Sequence, residues 1–245
     1  MSENGAIRLN KFISDSGYCS RREADKLIEQ KRVTINGQIP ELGTKVMPGD
    51  QVAVDGKGVG ASAMDKSDRT YIAYNKPVGV ICTTERGVRG NIVDAIRHRQ
   101  RIFPIGRLDK DSEGLIFLTT DGDIVNKILR AGNEHEKEYV VTVNQPVSER
   151  FTRQMSQGVP ILGTVTKPCK VKATGRFSFR IILTQGLNRQ IRRMCEFLGY
   201  EVVSLKRVRI MNVELGNLRP GQWRDLSDSE MAEINQAITH SKKTA

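Results

Sequence analysis

The 245-residue chain reads as an α+β protein, with a small N-terminal module and a larger domain built on a mostly antiparallel mixed sheet with flanking helices. Three observations carry this reading. In the second part of the chain, strand-like runs follow one another directly and outnumber the helical runs between them, unlike the regular alternation of a parallel sheet. Residues 57–68 (KGVGASAMDKSD) lack bulky apolar groups and read as a flexible linker, which divides the chain into 1–66 and 67–245. Two capping boxes, Ser20 to Glu23 and Ser227 to Glu230, mark helix starts near either end.

In the first module, Leu9, Phe12 and Ile13 make a short apolar helical face that Gly17 stops. Beyond the Ser20 cap, Ala24, Leu27 and Ile28 face the core from a second helix. Val33–Ile35 follows as a strand, Asn36-Gly37 as a hairpin turn, Pro48-Gly49 as another turn, and Gln51–Val54 as an alternating strand. Arg8, Lys11, Arg21, Arg22 and Lys26 are placed to lie outward on the two helices. This succession resembles the S4 RNA-binding module, which implies that Arg8, Lys11, Arg21 and Arg22 bind RNA.

In the larger domain, strands are expected at Tyr71–Tyr74, Val78–Cys82, Ile102–Ile105, Leu115–Thr119, Glu138–Val143, Lys170–Ala173, Phe177–Leu183, Val202–Leu205 and Val208–Val213. Helices are expected at Ile92–Arg97, Ile124–Ala131, Glu149–Ser156, Gln190–Leu198 and Asp228–Ile238.

The stretch Gly106-Arg107-Leu108-Asp109-Lys110-Asp111-Ser112-Glu113-Gly114 is a charged loop between two buried apolar runs. Asp109 lies between Arg107 and Lys110, whose charge favours the ionised carboxylate. Held so beside a sheet, it can serve as a nucleophile. A calcium loop is the rival reading of Asp109, Asp111, Glu113 and Gly114, but position twelve is Thr120 where a bidentate Glu is needed. A solvated hairpin is the blander one.

Further on, Ile191, Met194, Cys195 and Leu198 fall at the spacing of one helix face, ending at Gly199. Arg189, Arg192 and Arg193 share another side, and three cations near a helix start oppose its dipole unless an anion is close. A surface pair between Arg192 and Glu196 would explain one of the three.

Charge points to a polyanion as partner. Residues 1–66 carry 10 Lys+Arg against 9 Asp+Glu, and residues 67–245 carry 29 against 19, so the larger domain holds nearly all of the net +11. Cys19, Cys82, Cys169 and Cys195 are scattered, with no paired spacing that would indicate zinc or a disulfide framework. There is no signal peptide or apolar run of membrane-spanning length, so a cytoplasmic protein is expected.

Four motifs then occur in order: Asn75-Lys76-Pro77-x-Gly79, Gly106-Arg107-Leu108-Asp109-x-Asp111-x-x-Gly114-Leu115, Lys137-x-Tyr139, and Gly186-x-Asn188-Arg189-Gln190-Ile191-Arg192-Arg193-Met194. Over nearly its whole length the chain resembles the RsuA-like family of bacterial ribosomal pseudouridine synthases. Residues 130–139 and 159–167 resemble a branch of that family acting on large-subunit RNA, whose members often carry a long basic tail where this chain has Ser241–Ala245. The resemblance implies that Asp109 is the catalytic nucleophile, that Tyr139 stacks on the uracil and that Arg192 is the basic partner of Asp109. It implies that Arg107 fills the space left by a flipped-out uridine, and Arg189 and Arg193 are read as RNA-binding. No metal, nucleotide or redox cofactor is implied. The expected partner is ribosomal RNA, 23S foremost, with transfer RNA as a second structured candidate; the protein is expected to be a monomer. A noncatalytic RNA-binding protein and a glycoside-type hydrolase are the other classes. Asp109 speaks against the first, and the basic field suits RNA better than neutral sugar.

Overall fold

The computed structural model of the protein describes residues 5–60, 69–85, 87–129 and 134–239. The described residues form two compact units, one holding those up to Thr70 with Arg99–Arg101 and Thr120–Gly122, the other holding the rest of them.

The first unit contains β1 (Ile7–Arg8), α1 (Leu9–Asp15), α2 (Arg21–Glu29), β2 (Val33–Ile35), β3 (Lys45–Val46), β4 (Val52–Val54) and β5 (Lys57–Val59). Its core joins Leu9, Phe12 and Ile13 of α1 to Ala24 and Ile28 of α2 and to valines of the strands. The capping box closes as expected. Ser20 Oγ accepts from the Glu23 amide at 3.2 Å, and the Glu23 carboxylate accepts from the Ser20 amide at 2.8 Å, so two amides that a helix start leaves open are satisfied. Asn36 and Gly37 both take positive φ, 51° and 80°, the pair that a type I′ turn requires. That turn does not join two long strands, however. Ile35 meets only Gln38 across it, and β2 takes β4 as its partner, with β5 on the other side of β4. The linker expected at 57–68 is corrected here. Lys57–Val59 is a strand, because β4 offers it backbone partners and Val59 is buried in the core. Residues 61–68 lie outside the described residues.

The second unit contains β6 (Tyr71–Lys76), α3 (Ile92–Ile96), β7 (Phe103–Ile105), β8 (Glu113–Thr119), α4 (Gly122–Leu129), β9 (Lys137–Val143), α5 (Glu149–Gln157), β10 (Pro160–Ile161), β11 (Thr164–Val165), β12 (Lys170–Gly175), β13 (Ser178–Leu183), α6 (Gln190–Phe197), β14 (Val202–Ile210), β15 (Val213–Glu214), β16 (Trp223–Asp225) and α7 (Asp228–Thr239). The main sheet runs β12-β13-β9-β14-β8-β6-β16, with β15 beside β14 and β7 beside β8. Among the described residues its pairings are antiparallel except β14 with β8.

β6 and β8 are buried on both faces, which explains the unbroken apolar run Leu115–Leu118. Ile72, Tyr74, Ile116 and Leu118 pack with α3 through Ile92 and Ile96. Ala73, Leu115 and Phe117 pack with Ile124 and Ile128 of α4 and Ile234 and Ile238 of α7. On β9, β13 and β14 burial alternates instead. Tyr139, Val141, Phe179, Ile181 and Leu205 face Phe151 and Met155 of α5 and Ile191, Met194 and Cys195 of α6.

Two further expectations need correction. Val78–Cys82 is not a strand: Pro77 and Gly79, with φ of 95°, turn the chain, and only Ile81 bridges, to Asn91. Val202–Leu205 and Val208–Val213 are not separate strands. One strand, β14, runs from Val202 through Ile210 with a register slip between Arg207 and Arg209, and the chain then turns at Met211 and Asn212 so that Val213 opens β15 beside it. The second capping box forms, with the Ser227 amide donating to the Glu230 carboxylate at 3.3 Å and the Glu230 amide donating to Ser227 Oγ at 3.1 Å. Among the described residues no helix is long and apolar enough to cross a membrane. The 130–133 part of the family wording and the 240–245 terminus lie outside the described residues.

Candidate active site

The loop at residues 106–112 ends where β8 begins its parallel pairing. Glu113 and Gly114 stand opposite Lys206 and Arg207 of β14. A Cβ on Gly114 would lie 2.2 Å from the Arg207 carbonyl oxygen, and φ there is 117°, so this approach requires glycine. The start of the strand is thereby pinned, and the loop with it. Within the loop the Ser112 amide donates to the Asp109 carbonyl at 3.1 Å. The segment after β6 supports it from outside: the Gly79 amide donates to the Lys110 carbonyl at 2.7 Å, and the Leu108 amide to Cys82 Sγ at 3.4 Å. Lys76 is fully buried and closes that segment by donating to the Pro77 and Val80 carbonyls, each at 2.9 Å. Burial holds its amine below the ordinary lysine range.

Two arginines of the α6 region grip the loop. Arg189 precedes the helix in the left-handed region, φ 48°, a conformation that non-glycine residues hold only when their surroundings impose it. Its Nη1 and Nη2 donate to the two oxygens of Asp111 at 3.2 and 3.1 Å, and Nη1 stands 3.5 Å from Asp109 Oδ2. Arg192 Nη2 donates to the Asp111 carbonyl at 2.9 Å and to buried Ser112 Oγ at 3.0 Å, while Nη1 lies 3.5 Å from Asp111 Oδ2. The Arg189 hydrogen bonds, then the charge of Arg192, hold the Asp111 carboxyl below its usual range. The expected pairing is therefore exchanged. The ion pair of Asp109 is with Arg189, whereas Arg192 engages Asp111 and Ser112 and forms no ion pair with Glu196. Arg193 turns back to hold Asn188, donating to its carbonyl at 3.0 Å and its side-chain oxygen at 3.1 Å.

Loop and arginines border a cavity of about 470 Å³ that also takes in Arg107, Tyr139, Lys137 and Arg207, a size suited to one small ligand or an extruded base. Asp109 is 37% exposed and accessible from it. Tyr139 projects from β9, opposite Arg207 of β14, with its ring centroid 6.0 Å from the Arg207 guanidinium carbon. Arg107 is exposed. Apolar residues such as Leu183, Leu187 and Leu205 complete the walls. The arrangement offers a carboxylate, a flat ring and several cations around a space open to solvent.

A family profile described as RNA pseudouridylate synthase matches residues 70–197, and one for the S4 domain matches residues 7–52. The chain is 59% identical over 241 residues to the dual-specificity RNA pseudouridine synthase RluF of Escherichia coli (strain K12), covering 98% of this chain and 82% of that protein. The chain belongs to the RNA pseudouridylate synthase family. The ribosomal large subunit pseudouridine synthase B of Bacillus subtilis is 34% identical, with 96% of this chain and 98% of that one covered. A crystal structure of a pseudouridylate synthase superposes with a TM-score of 0.67 at 29% identity, covering 93% of this chain and 99% of that one. This pseudouridine synthase thus converts uridine to pseudouridine in RNA, with an S4 domain at its N-terminus.

Of the residues expected in the synthase site, Asp109, Arg107, Tyr139, Arg189 and Arg192 all border the one cavity. Arg193 does not. In the S4 domain Arg8, Arg21 and Arg22 are exposed, while Lys11 is half-buried and paired with Asp15 at 2.5 Å. Lys76, Ser112, Lys137 and Arg207 were not anticipated as parts of the site. A motif signal existed for Lys76 and Lys137, which stand in the family wording. For Arg207 the sequence shows only one of three cations, with Lys206 and Arg209, between Leu205 and Ile210 in a strand.

Proposed function

We propose that this synthase modifies a uridine in large-subunit (23S) ribosomal RNA, with Asp109 as the nucleophile and transfer RNA as a second substrate. The relatives whose names specify large-subunit or dual RNA specificity support this choice of RNA. One observation carries the site assignment: Asp109 is a partly exposed carboxylate on the rim of a cavity that also holds Tyr139, with Arg189 3.5 Å away.

A stacked or paired uridine cannot present its glycosidic bond, so the base must leave the helix. Tyr139 receives it by stacking. Arg107, exposed beside the cavity, enters the vacated place in the RNA. Asp109 then attacks C1′ as the C1′–N1 bond breaks; the freed uracil turns, its C5 displaces the carboxylate from C1′, and the C5 proton is released while N1 takes one up. Arg189 and Arg192 keep the carboxylate in place. The first 66 residues dock on structured RNA through Arg8, Lys11, Arg21 and Arg22, and residues 67–245 perform the chemistry. The protein acts as a cytoplasmic monomer.

Tritium release from RNA labelled at uracil C5 tests the assignment. Asp109→Asn is expected to release none while binding RNA as the wild type does; wild-type-like release would sink it. Mapping pseudouridine in cells lacking the gene tests the substrate, with loss at a large-subunit site expected.

A further inference from the structure

Buried charges in proteins are ordinarily paired, since an isolated one loses its hydration without compensation. Arg207 is 4% exposed, and its one hydrogen bond among the described residues runs from Nε to the Leu115 carbonyl at 2.6 Å. Among those residues its two terminal nitrogens have no protein acceptor, and no carboxylate lies within ion-pair distance. Lys137, half-buried, reaches only the His135 carbonyl at 3.3 Å and likewise has no carboxylate partner among them. Both side chains line the cavity, on either side of Tyr139 in the sheet: Lys137 precedes it by two residues on β9, and Arg207 faces it from β14. Burial and then the charge of Arg207 push the Lys137 amine below the ordinary lysine range.

Two cations largely withdrawn from solvent and sharing a wall without a counter-ion describe a site that suits an anion. We propose that Lys137 and Arg207 form an anion site inside the cavity that receives negative charge from the bound nucleotide. The proposal rests on reading this cavity as the seat of the target uridine. The charge has two sources with one chemistry. It is carried by a phosphodiester next to the uridine, or it develops on the uracil. In the second case the bond from Asp109 to C1′ forms, the C1′–N1 bond breaks, and its electron pair spreads over the uracil oxygens. A fixed pair of cations would stabilise that charge as an oxyanion hole does.

The test is Lys137→Met in the full chain, with Lys137→Gln and Lys137→Arg beside it. Relief of the repulsion is expected to raise the melting temperature in Lys137→Met, while isomerisation of an RNA stem-loop falls by about 100-fold. Lys137→Arg should restore most of the rate and Lys137→Gln should not, which keeps the test open if the methionine variant folds poorly. A phosphodiester partner will appear as weaker RNA binding with a salt slope reduced by about one. A uracil partner will appear as a lower kcat at unchanged affinity. Wild-type turnover, affinity and salt slope in Lys137→Gln would overturn the proposal. If Asp109→Asn is inactive in that case, the anion site alone fails; if Asp109→Asn is active, the reading of the cavity fails with it.

Discussion

Arg189 holds Asp111 with both terminal nitrogens, at 3.1 and 3.2 Å, and so reaches the loop that carries Asp109 from the residue just before α6, far along the chain. A bidentate pair fixes orientation as well as distance. Because the pair is largely exposed, its contribution to folding is small. Its value lies in placement.

Asp111→Asn is therefore expected to leave the unfolding midpoint nearly unchanged and to lower kcat by about 10- to 100-fold, the scale of a small misplacement of a reacting group. Arg189→Ala should do the same. The double variant should be little worse than Arg189→Ala alone, because that variant already removes the bidentate pair together with the Arg189 contact to Asp109. Additive losses would show that the two residues act separately.

Tyr139 offers a ring whose loss can be separated from that of its hydroxyl. Tyr139→Phe should retain most activity. Tyr139→Leu should lose the stacking energy of about 1–3 kcal/mol, a drop of about five- to 150-fold in kcat/KM. Equal activity in the two variants would mean that the ring only fills the core.

Locally encoded features were legible in the sequence. The capping boxes at Ser20 and Ser227 need only the residues that form them, and the face of α6 follows from the spacing of Ile191, Met194 and Cys195. Features set by distant partners were not. Lys57–Val59 has one bulky apolar residue and becomes a strand only because β4 is beside it. Val78–Cys82 is apolar enough for a strand, yet Gly79 turns to bond the loop at Lys110. Three arginines were visible near the start of α6, but the left-handed backbone at Arg189, which decides which of them reaches Asp109, has no sequence signature in a non-glycine residue.

Gly114 provides a stability test. Gly114→Ala would place a Cβ 2.2 Å from the Arg207 carbonyl oxygen at a φ of 117°. Strain and clash together should cost about 3 kcal/mol or more. A lower urea midpoint at unchanged slope is the expected reading, and a wild-type midpoint would mean that β8 and β14 separate easily there.

The thiols supply a prediction about pH. Burial pushes Cys169 up to about 11 and Cys195 up to about 12, from an ordinary value of 9.0. The reactive species is the thiolate, so neither residue should react with iodoacetamide at pH 8 in the folded protein, and both should react in urea. Their folded values exceed their unfolded ones. The stability they contribute is accordingly complete below pH 9 and declines as pH rises toward 11 and 12. Rapid labelling of folded Cys195 at pH 8 would contradict its burial.

Arg21 and Arg22 occupy the first turn of α2, exposed, where the helix dipole disfavours cations. Their neutralisation should therefore not weaken the S4 domain and is expected to stabilise it slightly. This separates binding from folding, because a fall in RNA affinity at an undiminished melting temperature can come only from lost contacts. If both arginines meet phosphates, Arg21→Gln with Arg22→Gln should reduce the slope of log affinity against log salt by about two. Activity on a short stem-loop should change little, since Asp109, Tyr139 and the cavity belong to the other unit. Activity on structured ribosomal RNA at limiting enzyme should fall. An unchanged salt slope would show that this face of α2 stays clear of RNA and that docking falls to other basic residues of the chain.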